Sequence, residues 1–89
     1  MLTEEDQQNL KQLGVECKQA NFPASVVFGQ LLSKDPGFGS IVQTVCLNDD
    51  GQIDPQEAKL VTWARNFVFR FEPQDGQEAY SLIREGEHS

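Results

Sequence analysis

The chain has 89 residues, 38% of them apolar, with 14 acidic against 7 basic side chains and a formal charge of −7. This length and apolar content point to one domain over residues 1–89, able to fold around a modest core. The basic residues Lys11, Lys18, Lys34, Lys59, Arg65, Arg70 and Arg84 are scattered, which argues against direct nucleic-acid binding, and no apolar stretch approaches membrane-spanning length.

Thr3 is placed to cap a first helix, and Glu4, Glu5 and Asp6 fill its first turn, where the helix dipole favours negative charge. A solvated helix face accounts for that charge run. Leu10, Leu13, Cys17 and Ala20 follow at helical spacing, and Gly14 weakens the helix without ending it. Asn21-Phe22-Pro23 breaks the chain, with Pro23 suited to the first position of the next helix. Val26, Val27, Phe28, Leu31 and Leu32 predict a second helix, although Ala24 to Phe28 alone also fits a short strand. Asp35-Pro36-Gly37 ends it.

Phe38, Ile41, Val42 and Val45 form one face of a short third helix, with Ser40 as its candidate N-cap. After the polar turn Asn48-Asp49-Asp50-Gly51, a longer helix begins near Asp54-Pro55. Its predicted core face is Leu60, Val61, Ala64, Phe67, Val68 and Phe71. The alternation of Phe67, Phe69 and Phe71 leaves an extended ending open. Glu72 to Gly76 closes this segment, and Ala79, Leu82 and Ile83 mark a last helix before a frayed tail, 85–89. The expected fold is all-α: a compact domain of four to five short helices, the one after Asp54 central.

Cys17 and Cys46 lack the short spacing of a zinc site or a disulfide framework, so both read as buried thiols of a reducing compartment. Met1 to Asp6 has no basic segment followed by an apolar run, so it does not read as a secretory signal, and the expected location is cytoplasmic.

Residues 46–57 can be set as a twelve-residue loop with Gly51 at the sixth place, where a cation loop needs its sharp turn. Asn48, Asp50, Gln52 and Glu57 then occupy the third, fifth, seventh and twelfth places, and Asp54 the ninth. Ile53 is the apolar eighth residue. This segment resembles a single degenerate calcium loop of the EF-hand family, and the resemblance covers at most about a third of the chain. It implies calcium ligation by Asn48, Asp50, the Gln52 carbonyl, Asp54 and Glu57. Cys46 stands where the family has its first aspartate, and a thiol is a poor ligand for a hard cation, so the implied affinity is weak, on the order of millimolar. Thr62 and Arg65 also fall at places that the family keeps apolar. Asp50, Gly51, Asp54, Pro55 and Glu57 also read, without metal, as a turn followed by a helix start, with Asp54 as cap, Pro55 in the first position and Glu57 reaching back, which leaves only Asn48 and the upstream apolar spacing over.

No nucleophile motif or phosphate-cradling glycine loop is present, and the one histidine, His88, lies in the tail. No catalytic residues are assigned. The aromatic residues crowd the second half, and a helix with Leu60, Val61, Trp63, Ala64, Phe67, Val68 and Phe69 is apolar around much of its circumference. Core packing accounts for most of this. A docking face on Trp63, Phe67, Phe69 and Phe71 is the functional alternative. The expectation is a small, acidic, non-catalytic interaction or regulatory module whose partner is another protein or a second copy of the chain. The alternative is a calcium module with a weak site.

Overall fold

The computed structural model describes residues 1–89. The α-helices are α1 (Glu4–Gln19), α2 (Ala24–Leu32), α3 (Phe38–Cys46), α4 (Pro55–Arg70) and α5 (Gly76–Glu87), with a 3-10 turn at Pro73–Asp75 before α5. There is no strand, and the stretches 24–28 and 67–70 are both helical. Phe71 then leaves α4 in an extended conformation.

Two close pairings organise the bundle: α1 against α5, and α3 against α4. The first and last helices run side by side in the same direction. The Met1 ammonium meets Asp75 at the start of α5, 3.1 Å away, and the Lys18 ammonium at the end of α1 donates to the Ser89 carbonyl at 3.4 Å. Helix α2 closes one side, against α3 and α5. Twenty apolar side chains form one core, and α4 contributes Leu60, Val61, Trp63, Ala64, Phe67 and Val68 to it. The helix that touches all the others is nevertheless α1, not α4 as the sequence suggested. A helix rich in large apolar groups fills the core, whereas the one that packs most closely becomes the hub.

Small residues make that close packing. A Cβ on Gly14 would run into the Ile83 carbonyl, and one on Gly86 into the carbonyl of Lys11. Gly14 therefore serves an approach of backbones that its helix propensity opposes. The same contact packs Gly86 against α1, and α5 runs through Glu87. Two helix starts also differ from expectation. Pro23 is the N-cap of α2 rather than its first residue, and α3 begins at Phe38 behind Gly37, with Ser40 inside the helix.

Thr3 caps α1 in a capping box, its hydroxyl accepting from the Asp6 N–H at 3.0 Å. Only Glu4 and Glu5 of the charge run are solvated; Asp6 is 1% exposed. Its carboxylate accepts from Trp63 Nε1 at 2.9 Å and from both terminal nitrogens of Arg70 at 2.9 and 3.2 Å. Burial alone would raise its pKa, but the hydrogen bonds from Arg70, Trp63 and Thr3 prevail and hold the carboxyl well below the usual range. The start of α1 is thereby fastened to the second half of α4.

Candidate functional site

The loop 46–57 is braced by its own backbone and by Asn48. The Asn48 side-chain oxygen accepts from the Asp50 and Gln52 N–H groups, each at 2.9 Å, while its N–H donates to the Gln52 carbonyl at 2.8 Å. Gly51 takes the left-handed conformation, φ 72°, that the turn requires. Asn48 and the Gln52 carbonyl, two of the five residues in the calcium reading, are thus engaged within the turn itself. Asp54 occupies the N-cap position of α4, but its side chain makes no capping hydrogen bond. Glu57 completes no capping box either; its carboxyl lies against those of Asp54 and of Glu16 on α1. The capping box expected over Asp54 to Glu57 is absent, because Glu57 meets a different partner.

That partner is Glu16. Helix α1 carries Glu16 beside Cys17 on its inner face, at 6% exposure, and Gln12 Nε2 donates to its carboxylate at 2.8 Å. Cys46, the last residue of α3, is 2% exposed. One ligand atom each from Glu16, Cys46 and Glu57 lie within 4.8 Å of one another, drawn from α1, α3 and α4. The hydrogen bond with Glu16, then burial, then the negative charges of Glu16 and Asp54, push the Glu57 carboxyl up from 4.5 to about 7. Burial, aided by the charges of Glu16 and Glu57, pushes the Cys46 thiol up to about 12. Burial likewise raises Cys17, to about 11. No ion pair involves Glu16 or Glu57. Two carboxyl groups and a thiol therefore converge without a side-chain cation to balance them. A cleft of about 300 Å³, lined in part by Asn48, Asp54, Cys46 and Glu57, opens beside them to solvent.

The structure thus brings Glu57, among the residues of the calcium reading, together with two groups outside that set of five. Asn48 and Asp54 line the adjoining cleft; Asp50 and Gln52 do not. Glu16 was missed, although a signal exists: it lies three residues after Leu13 and next to Cys17, on the apolar side of α1. Asp6, four before Leu10, carries the same mark. Among the aromatic candidates, Trp63, Phe67 and Phe71 are core residues, with the Trp63 and Phe67 rings stacked at 4.5 Å. Phe69 alone is exposed, at 65%. Comparison with known protein families, with curated proteins and with solved structures finds no match to this chain.

Proposed function

We propose that the protein is a non-catalytic interaction module that associates with a second copy of itself through the outer face of α2 and the neighbouring Phe69. One observation carries this reading. Helix α2, Ala-Ser-Val-Val-Phe-Gly-Gln-Leu-Leu, has no charged residue, yet it buries one stripe (Ala24, Val27, Leu31) and leaves Val26 and Leu32 nearly half exposed. Apolar residues that extend beyond the buried stripe suit a helix to burial on more than one side. Lys34, just beyond α2, donates to the Phe69 carbonyl at 3.1 Å, which ties the end of α4 to the segment that follows α2. The docking face of this proposal is therefore not the buried aromatic stripe Trp63, Phe67 and Phe71, but Phe69 with the apolar side of α2.

Each copy carries a charge of −7, so salt should tighten association by screening the repulsion between copies. Sedimentation velocity over a concentration series at low and high salt tests the proposal. The expected result is a monomer–dimer equilibrium that shifts toward dimer with salt and collapses to monomer in a Val26→Ser/Phe69→Ser variant. A chain that stays monomeric at millimolar concentration in both salts overturns it. The calcium-module alternative rests on the resemblance of residues 46–57, and calcium-induced shifts of the Gly51 and Ile53 amides are its test.

A further inference from the structure

We propose that Glu16, Cys46 and Glu57 form a binding site for a divalent metal ion of the zinc class, joining α1, α3 and α4. The inference is independent of the self-association reading.

The donor set favours a borderline metal over a hard one. Zinc-class ions take thiolate sulfur together with carboxylate oxygen, whereas calcium wants oxygen alone. Cys46, which spoils the calcium loop, is the residue that suits the softer ion. Two independent features converge on a ligand. First, two carboxyl groups from separate helices face each other with no Lys, Arg or His paired to either. Second, the Cys46 thiol is buried, is free of any disulfide, and its sulfur lies within 4.8 Å of an oxygen of each of those carboxyl groups. Cys46 belongs to the apolar core, and its sulfur also lies within reach of two acids.

The geometry needs only a small adjustment. Donor atoms around a tetrahedral zinc-class ion sit roughly 3.3–3.8 Å from one another. The three atoms here lie within 4.8 Å, so the group must contract by about an ångström. Glu57 is the partly exposed member and sits in the first turn of α4, where its side chain has room to swing. The adjoining cleft supplies the route in and room for water as the fourth ligand.

Binding also resolves the electrostatic crowding. Zinc-class ions bind cysteine as the thiolate. The S–H bond of Cys46 breaks, its electron pair goes to the metal–sulfur bond, and the proton passes to solvent, with no change of oxidation state. Metal binding should therefore release the thiol proton and tighten as pH rises.

The test is titration of the reduced full-length chain with Co2+ as a spectroscopic probe and with Zn2+ by calorimetry, in buffers of different ionisation enthalpy. The expected result is a thiolate-to-cobalt charge-transfer band, displaced by stoichiometric Zn2+, with proton release visible as a buffer-dependent heat. Cys46→Ser should abolish the band. Glu57→Gln should weaken binding at least tenfold, and Asp50→Asn, which touches only the calcium reading, should leave it unchanged. Circular dichroism checks that each variant is folded; if Cys46→Ser does not fold, the contrast between Glu57→Gln and Asp50→Asn decides. The proposal is overturned by absence of the band at millimolar Co2+, by a band that survives in Cys46→Ser, or by equal losses in Glu57→Gln and Asp50→Asn. Displacement of cobalt by calcium at equal concentration would also overturn it.

Discussion

Asp6 shows how one side chain can join distant parts of the chain. Its two oxygens take the indole N–H of Trp63 and the fork of Arg70, residues more than fifty positions away, and Arg70 also lies over the Phe67 ring at 5.2 Å. Arg70 is half exposed, so water can recover it when the pair is broken, but the Trp63 N–H cannot be recovered in that way. Asp6→Ala should therefore cost about 2–3 kcal/mol of unfolding free energy, more than an exposed ion pair and less than a fully buried one. Trp63→Phe, which keeps the ring packing, should cost about 1 kcal/mol. Urea denaturation followed by circular dichroism measures both, and a loss below 0.5 kcal/mol for Asp6→Ala would mean that the contact contributes no more than an exposed pair. The sequence marks Asp6 and Glu16 only by their helical spacing from apolar residues, a mark outweighed at Asp6 by the charge run around it and passed over at Glu16. Which partners they would meet was not legible, because those partners lie on other helices and depend on how the helices cross.

At the level of elements, the helical pattern carried well. The predicted core face of α4 is buried in full, and Thr3, Pro23 and Asp35-Pro36-Gly37 mark real boundaries. The pattern could not identify the most intimate pair. Helix propensity makes Gly14 a weakness and Gly86 a fraying tail, whereas packing makes them the contact surface between α1 and α5. Gly86→Ala gains helix propensity yet must push two backbones apart, so it should destabilise the protein by ~1–3 kcal/mol. Thermal melts of Gly86→Ala against the exposed Gly29→Ala, where a Cβ meets open space, separate the two effects. Gly29→Ala should be neutral or stabilising. Equal melting temperatures for the two variants would contradict the close approach of the helices.

For the whole molecule, the perturbed acids set opposite limits on pH stability. Asp6 ionises well below its ordinary value of 3.8, so its contribution is complete above that pH and drains away below it. Glu57 titrates at about 7 rather than 4.5, so the folded state holds a proton that the unfolded chain has released; stability falls as pH rises between those values. Easing of the −7 charge on acidification acts in the same direction. Stability in the absence of metal should therefore peak at about pH 5 rather than at neutrality. Glu57→Gln should flatten the alkaline limb, raising stability at pH 8 relative to the parent chain while leaving the acid limb in place. Chemical denaturation at pH 3, 5 and 8 checks this; a parent chain more stable at pH 8 than at pH 5 would contradict it.

The parallel pairing of α1 with α5 also has a kinetic consequence. Groups about seventy residues apart in sequence meet along it, so the chain must close its longest loop before its hub helix has a full set of neighbours. Contacts among α2, α3 and α4 can form from shorter loops, yet the apolar stripe of α1 stays partly uncovered until α5 has been made. During synthesis α1 therefore waits for α5, and folding should be slower than the helical content alone implies.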